Sequence, residues 1–373
     1  MIRVLFVSYT AEWTGPTQSL LLLLRHLPSN WEKSVVLPGR GPFCAQLEEE
    51  KVRSISVSSL DKWRIPELRR LIIRDRFDLV YGNNTSGACR NAFVAAKCAG
   101  VPFICHVRAI VQRGEWRKFG FLRFADAVVA VSEACARSVS GYVHPKRLHV
   151  VYNGVEVLER DRRTEATAAG PEEQCSEARL VGVAHVKRRK GQLYAVRAMA
   201  LITRAVPSAR LLLIGSLDRD PPYVQEIREL IRRRGLEEHV SLLGFRPDVG
   251  TLMEDSDIFL HTATEDPHPR AVLEAMACGV PVVAFDVDGV GETVASGCSG
   301  YLVPVGDTDE LAAMTTKLLE DPQLRREFGI SARRRAEERF SAEATAREVR
   351  RIIERTLHTP RSPTGEGREA MVR

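Results

Sequence analysis

The feature that most constrains the fold of this chain is an alternation of short apolar segments with segments of helical pattern. In the first half, the apolar segments recur at 3–8, 33–37, 54–57, 79–81, 101–106, 127–131 and 148–152. Apolar strands separated by helices predict a parallel sheet that is covered by helices on both faces. We therefore expect residues 1–156 to form one doubly wound α/β domain.

A charged stretch of small residues interrupts this alternation at 157–179, and its composition is typical of a linker. The alternation resumes over 180–340, with apolar segments at 180–184, 210–215, 240–244, 258–261 and 280–285. A chain of 373 residues is also too long for one ordinary core, so two domains are predicted. The polar tail, 359–373, is expected to be disordered.

Two such domains that face each other would bind their ligand in the cleft between them, because open α/β sheets bind ligands at the carboxyl ends of their strands. The formal net charge of +6 suits an anionic partner such as a nucleotide. No basic stretch with stacking aromatic residues marks a nucleic-acid-binding sheet, so nucleic acid is not an expected partner. Apolar runs such as 20–24 are far too short to span a membrane, and we expect a cytoplasmic location.

The stretch 264–279 carries the most chemical information: an acidic loop opens a helix, a glycine ends it, and a buried strand follows. Backbone N–H groups at a helix start attract anionic or hydroxyl-bearing ligands. The carboxylate of Glu274 can accept two hydrogen bonds from the hydroxyls of a ribose. The alternative is structural, with Asp266 capping the helix and Glu274 facing water.

This stretch resembles the acidic motif of the retaining glycosyltransferase family four, Glu-Gly-Phe-Gly-x-x-x-x-Glu-Ala-Met-Ala-x-Gly-x-Pro-Val-Val-Ala. Asp266 falls on its first glutamate and Glu274 on its second. The resemblance implies the two-domain GT-B fold and a last helix, 341–358, that crosses back to the first domain. It also implies that the first acid contacts the transferred sugar and that the second holds the ribose of the donor.

The loop within this motif departs from the family pattern. Pro267 and Pro269 replace two glycines and have no N–H group, whereas His268 and Arg270 keep theirs. Glu265 is an alternative first acid, one residue early. These departures leave the identity of the sugar open.

The segment 183–192 resembles the Gly-Arg-Leu-x-x-x-Lys-Gly loop of the same family. Lys190 matches the lysine that neutralises the donor diphosphate, and its charge would stabilise the leaving group. His185 stands at the arginine position, where a neutral histidine supplies less charge. Three neighbouring cations could compensate: Lys187, Arg188 and Arg189.

Weaker matches occur elsewhere in the chain. Gly15 lies in a loop that resembles the glycine loop near the donor phosphates, and Phe245 falls near the expected position of the base. His106 and Arg108 resemble a His-Val-Arg-Glu variant and are assigned with Gln18 to the acceptor side. The alternative for His106 is a histidine that is satisfied locally at a strand end.

Together these matches imply a retaining, metal-independent glycosyltransferase that moves a hexose-type sugar from a nucleoside diphosphate sugar, without a cofactor. The acceptor is left open among a lipid-linked precursor, a polysaccharide precursor and a small metabolite. The expected catalytic residues are Lys190, Asp266 and His106. The expected donor-binding residues are Gly15, His185, Lys190, Phe245, Glu265, Asp266, His268, Arg270 and Glu274.

Two rival functions are weighed against this interpretation. A dinucleotide-dependent oxidoreductase would need Gly-x-Gly-x-x-Gly after a strand, and the chain has none in that context. A nucleotide-sugar-binding protein without catalysis would fit the departures at His185 and Asp266. Asp-x-Asp strings, which bind a divalent metal in the other major transferase fold, occur here only beyond the linker, and no catalytic metal is expected.

Residues 112–124 mix arginine and lysine with tryptophan and phenylalanine. Such a segment could be an interfacial helix that reaches a lipid-linked acceptor on the inner face of the cell membrane. It could equally be a core helix with a charged outer face. Peripheral membrane contact through 112–124 is therefore one of two hypotheses for this segment.

Overall fold

The computed structural model describes residues 1–61, 64–112, 114–157 and 177–359. Two parallel sheets dominate these residues, as the alternation of apolar and helical segments predicts. Most of the predicted linker and tail, 158–176 and 360–373, lies outside the described residues. The fold class predicted from the sequence, two doubly wound α/β domains, is confirmed.

The first sheet has the strand order β3-β2-β1-β4-β5-β6-β7, and all its strand pairs are parallel. Its strands are β1 (Arg3–Val7), β2 (Glu32–Pro38), β3 (Arg53–Val57), β4 (Leu79–Gly82), β5 (Phe103–Val107), β6 (Ala127–Ala130) and β7 (Leu148–Val150). Its helices are α1 (Gly15–His26), α2 (Pro42–Glu49), α3 (Ile65–Arg74), α4 (Gly87–Ala99), α5 (Trp116–Phe119) and α6 (Glu133–Val139).

The second sheet has the order β10-β9-β8-β11-β12-β13 and is also parallel throughout. Its strands are β8 (Arg179–Val183), β9 (Arg210–Ile214), β10 (Val240–Gly244), β11 (Ile258–His261), β12 (Val282–Phe285) and β13 (Gly300–Val303). The helices that follow β8 are α7 (Gln192–Ala205), α8 (Pro221–Arg234), α9 (Val249–Glu254), α10 (Arg270–Ala277), α11 (Val290–Thr293), α12 (Thr308–Glu320), α13 (Pro322–Arg339) and α14 (Ala342–His358).

Each sheet is buried on both faces, which explains why its strands are apolar without alternation. In β1, Val4 and Phe6 belong to one hydrophobic core, while Leu5 and Val7 belong to the core on the opposite face. Successive side chains of a strand point to opposite faces, so both sets are buried only if helices cover both sides.

The strand order of each sheet reverses at one point, between β1 and β4 in the first sheet and between β8 and β11 in the second. Ligands of open parallel sheets bind outside the carboxyl ends of the strands at such a point. The loops after β1, β8 and β11 are the ones that hold Gly15, Lys190 and Asp266. The topology therefore gathers the predicted site residues at the switch points.

Helix α14 packs on the first domain, although it follows the second domain in sequence. Its residues Val349 and Ile353 are fully buried in the same core as Leu20 and Leu24 of α1. Hydrogen bonds join the two crossing segments, from the Val155 N–H to the Phe340 carbonyl at 2.8 Å and from the Ala342 N–H to the Val155 carbonyl at 3.0 Å. The two domains are thus joined by two adjacent chain crossings.

Residues 112–124 do not form the single helix that the sequence suggested. The short helix α5 is followed by a 3-10 turn, Gly120–Phe124, and Arg113 lies outside the described residues. Phe121 and Leu122 are buried in the core of the first domain, whereas Trp116 and Phe124 are exposed. In the described parts of the chain, no helix combines the length and apolarity needed to cross a bilayer.

The crossing of the two chain segments leaves no room for a side chain at Gly154. A Cβ atom there would lie 2.6 Å from the Cα of Ala342. We expect Gly154→Ala to lower the free energy of unfolding by about 1–3 kcal/mol, because the backbone at the crossing must shift. Urea denaturation measures this change. Gly87→Ala is the matched control, since a Cβ at Gly87 has no atom within 4 Å; equal stability of the two variants would contradict this account.

Candidate functional site

A cleft of about 1660 Å³ lies between the two domains at the carboxyl ends of their strands. Its walls contain most of the residues that the sequence analysis singled out. From the first domain they are Gly15, Gln18 and Arg108, and from the second His185, Lys190, Phe245, Glu265, Asp266, His268, Arg270 and Glu274. His106 is not among the residues that line this cleft.

The Lys190 loop is fastened to the segment that follows β11. The Thr264 N–H donates to the Arg189 carbonyl at 2.9 Å, and the Thr262 hydroxyl donates to the Lys190 carbonyl at 3.3 Å. Gly191 has a φ of +67°, and a Cβ there would lie 1.9 Å from the Thr262 carbonyl oxygen. Glycine is required at this position because a side chain would push the two segments apart.

This fastening brings Lys190 to Asp266. The Lys190 Nζ donates to Asp266 Oδ2 at 2.5 Å, and the Nε2 of His261 lies 3.3 Å from the same oxygen. Asp266 is only 6% exposed. Burial would raise the pKa of Asp266, but the Lys190 ammonium and the His261 ring outweigh it and hold the pKa well below its usual range. Asp266 is therefore an ionised, buried carboxylate on the cleft wall.

His261 is a site residue that the sequence analysis missed. It ends strand β11, and its side chain points to the acidic loop that begins three residues later. The available signal was its position at the carboxyl end of a strand beside the switch point, where polar side chains face the ligand cleft.

The loop that follows β12 forms hydrogen bonds with the backbone of Asp266. The orientation of Asp266 therefore does not depend on Lys190 alone. The Asp266 N–H donates to Asp288 Oδ2 at 2.9 Å, and the Gly289 N–H donates to the Asp266 carbonyl at 3.3 Å. Helix α10 begins after Pro269, whose side chain makes no cap hydrogen bond. The structural alternative, in which Asp266 caps this helix, is wrong.

Arg270 reaches across the cleft from the start of α10. Its Nη2 donates to Glu274 Oε1 at 2.7 Å, and its Nη1 donates to the Ser19 hydroxyl on α1 at 3.2 Å. Its Cδ lies 3.8 Å from a Cβ built at Gly15. Glu274 is thus paired with a cation beside the Gly15 loop and does not simply face water.

His268 is buried in an aromatic environment between the domains. Its ring stacks on Tyr152 at 5.2 Å between centroids and meets the edge of Phe340 at 5.6 Å. It is 4% exposed, and neither ring nitrogen has a hydrogen-bond partner. Burial lowers the pKa of His268 to about 3, so its ring is neutral at physiological pH.

Arg108 connects the first domain to the Asp266–Arg270 loop. Its Nη1 donates to Asn153 Oδ1 at 2.6 Å, and the Asn153 amide donates to the His268 carbonyl at 3.2 Å. Its Nε donates to the Asn83 side-chain oxygen at 3.0 Å. These contacts place the guanidinium on the first-domain wall of the cleft.

His106, expected on the acceptor side and as a catalytic residue, is placed beneath that wall and is 2% exposed. Its Nδ1 lies 2.8 Å from the Tyr81 hydroxyl and 3.1 Å from Arg108 Nη2. Burial, followed by the charge of Arg108, lowers the pKa of His106 well below its usual value. The physical reason for this placement is that β5 is covered on both faces, so a side chain that points into a face is enclosed.

His185 lines the cleft as a neutral side chain, because burial lowers its pKa and the nearby cations act in the same direction. Of the three cations considered as compensation, Arg188 is directed away, since it pairs with Glu226 and stacks on Tyr223 at 5.3 Å. The other two, Lys187 and Arg189, line the cleft. Phe245 also lines it and is 68% exposed.

A carboxylate of the second domain caps a helix of the first. Glu292 accepts hydrogen bonds from the Glu133 N–H at 2.7 Å and the Ala134 N–H at 2.8 Å, at the start of α6. A carboxylate in this place also offsets the positive end of the helix dipole. The contact holds the two domains together on one side of the cleft.

We expect Glu292→Ala to lower the free energy of unfolding by about 0.5–2 kcal/mol, because two N–H groups at the start of α6 lose their acceptor. Thermal unfolding at two salt concentrations measures the change and its charge dependence. Glu238→Ala, an exposed glutamate without an ion pair among the described residues, is the control. An unchanged melting temperature for Glu292→Ala would show that this cap contributes nothing.

Two family profiles match the chain. "Glycosyltransferase Family 4" matches residues 13–157, and "Glycosyl transferases group 1" matches residues 166–335. The two matches follow one another along the chain and together include the Gly15, Lys190 and Asp266 loops.

Curated relatives match about three fifths of this chain. N-acetyl-alpha-D-glucosaminyl L-malate synthase of Bacillus anthracis is 33% identical over 230 residues, which are 61% of this chain and 58% of that protein. D-inositol 3-phosphate glycosyltransferase of Jonesia denitrificans is 30% identical over 226 residues, 57% of this chain and 52% of that protein. The chain thus spans little more than half the length of these relatives.

Solved structures match over almost the whole chain. HepE of Anabaena, solved with UDP-glucose, has a TM-score of 0.82 at 24% identity and covers 95% of this chain and 100% of its own. Sucrose-phosphate synthase of Thermosynechococcus elongatus has a TM-score of 0.76 at 18% identity and covers 95% of this chain and 99% of its own. These likenesses establish the GT-B fold. Because the two profile matches follow one another over both domains and the fold is GT-B, the chain belongs to the family 4 glycosyltransferases of group 1.

Proposed function

We propose that this protein is a retaining glycosyltransferase that transfers a hexose-type sugar from a nucleoside diphosphate sugar without a metal ion. The buried Lys190–Asp266 pair is the observation that carries the proposal, because it puts a cation and an ionised acid together on the cleft wall. The bound UDP-glucose of HepE makes a UDP-sugar the first donor to test.

In the proposed reaction, the bond between the anomeric carbon and the diphosphate oxygen breaks, and the electron pair leaves with the diphosphate. A hydroxyl oxygen of the acceptor forms the new bond on the same face of the sugar, and its proton passes to the departing phosphate oxygen. Lys190 stabilises the negative charge that develops on that oxygen. This route needs no protein nucleophile.

Asp266 would orient the transferred sugar by accepting a hydrogen bond from one of its hydroxyls. Its pKa lies well below the usual range, so it remains an acceptor at physiological pH. Pro267 and Pro269 offer no N–H group in this loop, which leaves fewer backbone donors for the sugar than a glycine loop has. We propose that the side chain of Asp266 carries most of this recognition.

Glu274 would hold the ribose of the donor. Its carboxylate lines the cleft, and Arg270 fixes it through Oε1. This arrangement supports a role in which a pre-oriented carboxylate accepts the ribose hydroxyls.

The acceptor stays open between a small metabolite and a precursor of a polysaccharide or lipid-linked glycan. The curated relatives carry names that differ in this respect, from an L-malate synthase to a colanic acid biosynthesis glycosyltransferase. A cytoplasmic location, with peripheral membrane contact through 112–124, would accompany a lipid-linked acceptor. The exposed Trp116 and Phe124 support that contact.

A catalytically impaired nucleotide-sugar-binding protein is the second candidate. It is favoured by the neutral His185 at the position where the family pattern has arginine. Tight donor binding without release of the sugar to water or to any acceptor would support it.

The direct test of the proposed function is a calorimetric titration with UDP, GDP, ADP and their glucose conjugates, followed by an assay of nucleotide release. We expect one nucleotide series to bind and its sugar conjugate to turn over, with EDTA leaving the rate unchanged. Failure of every nucleotide to bind would overturn the proposal.

We expect Lys190→Ala to lower the rate of nucleotide release by about 10²–10³, because the leaving group loses its main stabilising charge. Lys146→Ala, which removes an exposed lysine of the first domain, is the control. The substitution also removes the ion-pair partner of Asp266 and could destabilise the protein. Thermal unfolding therefore verifies that the variant is folded. A rate within twofold of the unchanged protein would exclude this role for Lys190.

Glu274→Gln is expected to weaken nucleotide binding about tenfold, because hydrogen bonds to a charged acceptor contribute about 1.5–3 kcal/mol. The affinity for pyrophosphate, which has no ribose, should stay the same. Calorimetry with both ligands separates the two effects, and an equal loss for pyrophosphate would show that Glu274 acts elsewhere.

A further inference from the structure

Arg108 is a cation on the cleft wall whose protein partners are all neutral. Its Nη1 contacts Asn153, its Nε contacts Asn83, and its Nη2 contacts His106. Within the described residues, no carboxylate lies at ion-pair distance from it, and the positive charge of Arg270 acts to lower its pKa. Burial lowers the pKa of Arg108 to about 10, so the guanidinium keeps its charge at physiological pH.

Two other cations that line the cleft differ from Arg108 in this respect. Lys190 pairs with Asp266, and Arg270 pairs with Glu274. A half-buried charge without a counter-ion has an unfavourable desolvation energy, which hydrogen bonds to neutral groups offset only in part. An anionic ligand in the cleft would supply the missing counter-charge.

The hydrogen-bonding capacity of Arg108 is also incomplete. A guanidinium has five N–H groups, and the contacts with Asn153, Asn83 and His106 use one on each nitrogen. The remaining two belong to Nη1 and Nη2, the two nitrogens of the fork that matches a carboxylate or phosphate. The protein contacts fix the orientation of this fork, so a ligand would bind without ordering it.

The position of Arg108 assigns this ligand to the acceptor. Arg108 follows strand β5 of the first domain, whereas Lys190, Asp266 and Glu274 belong to the second domain. If the second domain holds the donor, the first-domain wall faces the acceptor. This step rests on the proposed function.

We propose that the acceptor is a small anionic molecule whose carboxylate or phosphate pairs with Arg108. The hydrogen bonds from Arg108 to Asn153 and from Asn153 to the His268 carbonyl connect this charge to the loop that holds Asp266. The anionic group would therefore position the acceptor on the side of the cleft that is connected to the loop of the proposed sugar-binding acid.

The test uses the full chain saturated with UDP and two probes, inorganic phosphate and L-malate, titrated by calorimetry at millimolar concentration. We expect at least one probe to bind, and we expect Arg108→Gln to weaken it by about tenfold or more, as for a lost charged hydrogen bond. Arg40→Gln, at an exposed arginine of the same domain, should leave the affinity unchanged. The UDP affinity of Arg108→Gln reports whether the variant is folded.

A comparison on the unchanged protein does not depend on any variant. Malamide has the shape of L-malate without its charges, and it should not bind where malate does. The inference is overturned if neither probe binds, or if a folded Arg108→Gln variant binds the probe with unchanged affinity. If malate is the probe that binds, equal binding of malamide would also overturn it.

Adding the probe before or after UDP distinguishes an anion site for the acceptor from one for the donor diphosphate. If the probe binds the free protein but excess UDP displaces it, the charge of Arg108 serves the donor diphosphate, and the acceptor assignment is wrong. If the unchanged protein does not bind any nucleotide, the proposed function itself fails. If it binds a nucleotide but neither anionic probe, only the inference about Arg108 fails.

Discussion

The buried ion pair between Lys190 and Asp266 is the interaction on which the geometry of the cleft depends. It joins the loop after β8 to the loop after β11, the two strands on either side of the switch point of the second sheet. Neither charge is well solvated, so removing one partner would leave the other unpaired at a cost of about 3–5 kcal/mol. The close approach of the two segments at Gly191 makes this pairing possible. The proposed chemistry and the local stability of the site therefore depend on the same two side chains.

Hydrogen bonds between the domains hold the first-domain wall of the cleft opposite the second domain. Arg108, Asn153 and the His268 carbonyl form a chain of hydrogen bonds across the boundary, and Glu292 caps a helix of the opposite domain. These hydrogen bonds are polar, and the stacking of the His268 ring on Tyr152 adds an aromatic contact to the same boundary. The two adjacent chain crossings keep the domains aligned there.

Much of the fold could be predicted from the sequence, because strands buried on both faces are continuous apolar runs that need no tertiary information to be recognised. The Lys190 and Asp266 loops were also predictable, because each follows a recognisable strand and matches a motif of the family that the sequence resembles. The positions of His106 and His261 were not. His261 ends β11 and His106 is the last but one residue of β5, and both are polar. Because the two side chains point into different surroundings, His106 is enclosed beneath the wall and His261 contacts Asp266. The role of Glu292 was equally hidden, since the two N–H groups that donate to its carboxylate lie 159 and 158 residues away in sequence.

Helix α14 has a consequence for the order of folding. The core of the first domain includes Val349 and Ile353, so that core stays incomplete while only the first domain has left the ribosome. The apolar surface of the first domain around Leu20 and Leu24 therefore stays partly uncovered until the second domain and α14 have been synthesised. The two halves of the fold are therefore completed together, which favours the assembly of both walls of the cleft in a single step.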